Sequence, residues 1–421
     1  MRTIPVVSGD DRIRLMGRLD ATQKPIALDW TGTGAEVLFR GSALWARLEA
    51  PVASPVMWMI VLADGHPVAR FPVQKGCRSY PLLLGMEAEK TRLVTLMKET
   101  QCMPDSPEAT VFLHSFRSDG ELLPVPPRSR LIEFVGDSLT SGEGALAPNG
   151  NDEWITPWFT AWGNYPFVVA EKLDADFRIL SQSGYGVCWS WEHNPAGNMS
   201  DGYEKTVGVL SGKAAEARGC TKPWSFDPQP DTVCIRLTTN DQNGMNMKQS
   251  FDADKETVIT GCQSLIRTVR RRNPAAKIVW ILPSTDCHPE LAAEAVSRCL
   301  AEGMENLFTV TLPDYGPDDM GARFHPNARW NRNAGLTVGS VAERGKIHIA
   351  PHHRCQSEIF HDFADLLEVV GHDLQPGTVT VAGEIFAGSE VEGFVHADVD
   401  AFGTERRGSV SDDGFEESVS V

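Results

Sequence analysis

No apolar run in this 421-residue chain approaches the ~20 residues that a bilayer span needs, which excludes a transmembrane helix. The N-terminal stretch MRTIPVVSGDDRIRL has no apolar core of secretory-signal length, so the expected location is cytoplasmic. A start lying further upstream would make it secreted or periplasmic. Basic residues are scarce: 39 Lys plus Arg stand against 56 Asp plus Glu, for a net charge of -17. Such a surface repels phosphate backbones and anionic lipid, so neither nucleic acid nor membrane is expected as a partner. The one basic run, Arg270-Arg271-Arg272, ends an apolar-patterned segment and reads as a helix terminus. The nine cysteines are scattered and odd in number, with no CxxC pair and no zinc spacing. Free thiols in a reducing compartment account for them.

What is present suits a chain with real cores: 42% of residues are hydrophobic, and the length fits two domains with a small appendage. Residues 1–125 carry short strand-like runs, among them AEVLFRG, ALWARLEA and VMWMIVLADG, with Asp64-Gly65 as a turn signal. They predict a β-sandwich, jelly-roll-like domain. LLPVPPRSR, residues 122–130, reads as a rigid connector. From 126 to 345 strands alternate with helices: LIEFVG, FRILSQSGYG, DTVCIRLTTND, AKIVWILP and LFTVTLP are the strands. That order predicts an α/β domain with a mostly parallel sheet flanked by helices, whose ligands bind beyond the carboxyl ends of the strands. Residues 346–421 form an acidic C-terminal extension, read as partly disordered or peripheral.

Ser138, Gly184 and Asn240 each fall just past a strand, and His325 stands in GARFHPNARWN before the last helix. Acyl transfer needs a nucleophile, a base and donors for the developing oxyanion. Ser138 fits the first role and His325 the second; the N–H groups of Ser138 and Gly184 and the amide of Asn240 fit the third. Each residue also has a plainer reading, as a helix cap, a turn glycine, a turn amide or a surface histidine. Asp137 reads as structural. Trp154, Trp158, Trp162, Trp189 and Trp191 crowd the same loops, and flat rings suit sugars. Trp191, Trp189 and Trp158 are the expected pocket residues. The histidines His348, His352 and His353 lack a completing carboxylate or cysteine set, so no metal is expected there.

These blocks resemble the SGNH hydrolases, the GDSL family. Gly136-Asp137-Ser138-Leu139 matches the nucleophile block, Ser183-Gly184-Tyr185-Gly186 the glycine block, Thr238-Thr239-Asn240-Asp241 the asparagine block and His325-Pro326-Asn327 the histidine block. Together with the front domain they resemble carbohydrate esterase family 2, whose members remove acetyl groups from sugar hydroxyls of plant polysaccharides. The resemblance implies an O-acetyl esterase acting through an acyl-enzyme on acetylated mono-, oligo- or polysaccharides, with no cofactor. A lipase or thioesterase of the same class, or an inactive carbohydrate-binding relic, are the alternatives. Two departures stand out. Thr238 takes a position where the family has glycine. Ala322 stands where the wider family has the aspartate that orients the histidine, leaving a main-chain carbonyl, or else Asp318 or Asp319, for that task.

Overall fold

The computed structural model describes residues 1–283, 287–312 and 315–344, and the backbone of three strands further on. The chain divides into two units, Met1–Ile349 and Ala350–Val421.

The first unit opens with strands whose side chains alternate between core and solvent. In one sheet β1 (Arg2–Pro5), β10 (Val111–Ser118), β5 (Leu44–Ala50) and β8 (Gly76–Leu83) are neighbours in that order, with β3 (Ile26–Leu28) on β10. The other sheet runs β11 (Glu121–Leu123), β4 (Gly34–Arg40), β9 (Thr91–Lys98), β6 (Met57–Ala63), β7 (His66–Val73), with β2 (Ile13–Met16) on β4. The strand pairings in both are antiparallel. In β5 the residues Leu44, Ala46, Leu48 and Ala50 are buried, and they share one core with Val37, Phe39, Met59, Val61 and Leu96 of the other sheet. Asp64 and Gly65 both have positive φ, as a two-residue hairpin between β6 and β7 requires.

The second half of this unit holds five parallel strands: β12 (Arg130–Gly136), β13 (Ala175–Ser181), β14 (Thr232–Arg236), β15 (Lys277–Leu282) and β16 (Leu307–Thr311). Their spatial order is β13-β12-β14-β15-β16. The chain therefore steps from β12 to one side and then returns to the other, which makes the end of β12 a topological switch point. Helices α1 (Ser138–Ser141), α2 (Tyr165–Lys172), α3 (Gly212–Ala217), α4 (Thr239–Lys248), α5 (Phe251–Arg272), α6 (Pro289–Ala301) and α7 (Ala328–Arg344) complete it. One face of the sheet is covered by α5 and α6 through Ile259, Cys262, Leu265, Ile266, Leu291 and Val296. The other is covered by α2 and α7 through Tyr165, Val169, Trp330, Ala334 and Val338. Ile60, Leu62 and Met97 of the antiparallel sheet join that second core, so the two halves are packed as one body.

A buried ion pair also links the halves. Arg18, just past β2, meets Glu133 of β12 at 2.9 Å, and both side chains are wholly buried. Tyr203 donates its hydroxyl to the other Glu133 oxygen at 2.9 Å, and Arg18 donates to the Tyr203 carbonyl at 2.6 Å.

The second unit contains β17 (Thr380–Glu384), β18 (Phe394–Asp398) and β19 (Ser418–Ser420). The first two pair antiparallel and the last two parallel. His348, His352 and His353 lie outside the described residues. Among the described residues no helix is long and apolar enough to cross a membrane.

Candidate active site

The turn after β12 is fixed from below. Asp137 caps α1, its carboxylate accepting the Leu139 N–H at 3.1 Å and the guanidinium of Arg236, at the end of β14, at 2.8 Å. Gly136 has no room for a side chain: a Cβ there would stand 2.0 Å from Thr140 Oγ1. Ser138 is thus presented at the switch point on a short, buried helical turn.

His325 reaches it from the loop before α7, with Nε2 2.7 Å from Ser138 Oγ. That loop is bound to the nucleophile turn at the backbone. Ala322 N–H donates to Gly144 O at 3.0 Å and Gly321 N–H to His325 O at 2.7 Å. A Cβ on Gly321 would lie 2.2 Å from Gly144 O, so the approach depends on glycine. Arg323 and Phe324 follow each other in the left-handed region, at φ 53° and 59°. Such a pair costs about 1–2 kcal/mol per residue, offset in part by Arg323 pairing with Glu143 at 2.8 Å.

The orienter expected for His325 is a different matter. Its Nδ1 is buried and has no hydrogen-bond partner among the described residues. Asp319 is turned to Arg329, 2.8 Å away, and Asp318 offers its main-chain carbonyl to the Asn327 side chain at 2.9 Å. Neither carboxylate bonds the imidazole, and neither does a main-chain carbonyl among the described residues.

Gly184 and Asn240 border the same cleft as Ser138 and His325. Gly184 has φ +79°, and its carbonyl accepts the Trp191 N–H at 2.9 Å. Asn240 is not a loop residue, as its strand-end position suggests, but lies in the first turn of α4. One amide hydrogen goes to Tyr185 O at 3.0 Å, leaving the second free for a ligand. Thr238 precedes this helix at φ 94°, a region where a β-branched residue is strained. This explains why glycine is the usual residue there. Asp241, fully buried, accepts the N–H groups of Val187 and Cys188, each at 2.7 Å, and so fixes the loop bearing Trp191. Burial pushes its carboxyl up to about 6, against the lowering effect of those backbone donors.

The cleft holds about 530 Å³. Trp191 lines it, with Trp154, Phe324, Tyr315 and Arg236. Trp189 and Trp158 do not. Trp189 is buried in the core and gives its indole N–H to Asp241 O at 2.8 Å, so its ring is used to anchor α4. Trp158 closes the turn Thr156–Trp158 and is absent from the lining. Phe324 was not anticipated. Its position next to the histidine was visible in the sequence, but its exposure follows from the left-handed backbone.

A serine and histidine in contact at the switch point of a parallel sheet, with a glycine and an amide beside them, form an α/β arrangement consistent with the SGNH-type hydrolases. Within that class the chain is similar to the family two carbohydrate esterases. No family model matches it. An acetyl xylan esterase from the rumen bacterium Butyrivibrio proteoclasticus superposes with a TM-score of 0.76 and 27% identity, covering 80% of this chain and 96% of that one. A family two carbohydrate esterase from Clostridium thermocellum, solved with cellohexaose, gives 0.68 and 25% over 78% and 97%. In sequence, a cellulase/esterase of Acetivibrio thermocellus is 27% identical over 307 residues, 71% of this chain but only 35% of that protein. An acetylxylan esterase / glucomannan deacetylase of Cellvibrio japonicus is 24% identical over 66% of this chain and 73% of its own length.

Proposed function

We propose that the protein is a carboxylic ester hydrolase that removes O-acetyl groups from carbohydrates by way of an acyl-enzyme. The 2.7 Å contact between His325 Nε2 and Ser138 Oγ carries this reading, because it is the geometry a general base needs to activate a hydroxyl. In this mechanism His325 takes the Ser138 proton as the oxygen attacks the acetyl carbonyl. The N–H groups of Ser138 and Gly184 and the free Asn240 amide hydrogen receive the oxyanion. His325 then protonates the departing sugar oxygen, and a water activated by the same ring releases acetate.

The carbohydrate assignment rests on the named activities of the relatives and on the exposed indoles of Trp191 and Trp154 at the cleft. In the same reading, residues 1–125 form a jelly-roll-like sandwich, 126–345 the catalytic domain and 346–421 an extension. Acetate release from acetylated xylan and glucomannan oligosaccharides is the test. Wild type should release acetate and Ser138→Ala should be slower by ~10⁴-fold or more while remaining folded. A variant within tenfold of wild type would remove Ser138 from the nucleophile's role.

A further inference from the structure

Away from the cleft, the outer face of the first antiparallel sheet gathers three metal-ligating side chains of different kinds. Glu49 on β5 stands directly across the ladder from Cys77 on β8. On the other flank of β5 the register of β10 slips between Leu113 and Ser115, and the residue in the irregularity is His114. Leu48 and Ala50 point into the core, so Glu49 points out. The carboxylate, thiol and imidazole ligand atoms all lie within 4.8 Å of one another. His114 Nε2 is 2.8 Å from Glu49 Oε2, and Arg47 Nε donates to Cys77 Sγ at 3.1 Å. None of these residues lines the cleft.

We propose that Glu49, Cys77 and His114 form a binding site for a divalent transition cation, Zn²⁺ first among them. A sulfur, a nitrogen and a carboxylate oxygen on one ion is a borderline-soft donor set; Ca²⁺ and Mg²⁺ take oxygen throughout. Zinc bond lengths put tetrahedral ligand atoms about 3.3–3.8 Å apart. No gap exceeds 4.8 Å, so none closes by more than about 1.5 Å, and the Glu49–His114 pair opens by about half an ångström. Cys77 is exposed and the other two are partly exposed, so their rotamers are free to make this adjustment. Arg47 is exposed as well and sits on a long stem, so it can keep its bond to the sulfur or swing clear. Entry of the ion releases the thiol proton and leaves a fourth position for water. The site takes no part in the ester chemistry, and the absence of metal expected from sequence rested on local spacing. Three strands bring these ligands together, and spacing along the chain does not reveal that.

The test uses the full chain, stripped with a chelator and titrated with Co²⁺. One equivalent should bind with a near-ultraviolet thiolate-to-cobalt charge-transfer band. Cys77→Ser should abolish the band, and His114→Gln and Glu49→Gln should each weaken binding at least tenfold. In parallel, Zn²⁺ should slow alkylation of Cys77 by iodoacetamide at least tenfold, measured by mass spectrometry, and should not do so in His114→Gln. Unchanged thermal melts of the metal-free variants establish that each is folded. No band up to millimolar Co²⁺, a band that survives Cys77→Ser, or alkylation indifferent to Zn²⁺ would each overturn the proposal.

Discussion

Gln101, three residues beyond β9, accepts both the backbone N–H of Ser183 at 2.8 Å and its hydroxyl at 2.9 Å through a single oxygen, Oε1. The antiparallel half of the unit thereby holds the loop that carries Gly184. Its neighbour Glu99 does the same for another loop, accepting from Thr160 at 2.7 Å and pairing with Arg70, which in turn binds the carbonyls of Pro157 and Phe159. Gln101 itself is seated by buried Lys98, whose ammonium donates to the carbonyls of Asp29, Thr100 and Gln101. Burial lowers the Lys98 pKa to about 8.

Gln101→Leu should lower kcat roughly tenfold to a hundredfold with a smaller change in KM, because small displacements of a donor cost that much. Steady-state kinetics beside a thermal melt would check it. A loss confined to stability would assign Gln101 to the fold alone.

Asn240→Ala should lower kcat by about 10²–10³ and leave KM within a few-fold, as for any donor that engages the oxyanion more than the ground-state carbonyl. A pure KM effect would make Asn240 a substrate-positioning residue.

Asp318→Asn and Asp319→Asn should each cost less than about tenfold in kcat. Neither carboxylate contacts His325, and a triad acid removed in this way costs about 10⁴-fold in the serine proteases. A folded variant slowed beyond ~10³-fold would mean that one of them turns to the imidazole during turnover.

Asp241 should leave a mark on stability against pH. Its folded pKa, about 6, is above the unfolded value, so the folded chain binds the proton more tightly. The stability it contributes is therefore greatest in acid, falls by about 3 kcal/mol as pH rises from about 4 to about 6, and is flat above that. Denaturant titrations of wild type and Asp241→Asn across this range should show their stability difference shrinking in that window. A constant difference would contradict the shift.

Much of this was legible because the relevant signals are local. The apolar run AKIVWILP could only be an interior strand, and it became β15. Ser138 and His325 were visible through the strand before one and the helix after the other. What escaped notice depends on through-space partners. The first half of β8 is exposed and polar, so hydropathy gives no sign of an edge strand at Gly76–Leu83. Asn240 reads in the sequence as an oxyanion donor just past a strand, but TTND is poor in helix formers and gives no sign that α4 starts there. Trp189 and Trp191 are indistinguishable as letters. One is committed to Asp241 and the other is left over the cleft.

The Arg18–Glu133 pair has a consequence for inheritance. Each half of the unit keeps one charge of a wholly buried couple. A recombination that exchanged the parallel half for a stranger would bury Arg18 without its carboxylate, at a cost of about 3–5 kcal/mol, a large part of what a domain has to spare; exchanging the other half would leave Glu133 with Arg178 of β13, 3.9 Å away, and the Tyr203 hydroxyl. Selection therefore favours keeping the two halves together, and trimming the chain to its parallel sheet would leave Glu133 with Arg178 as its remaining cation.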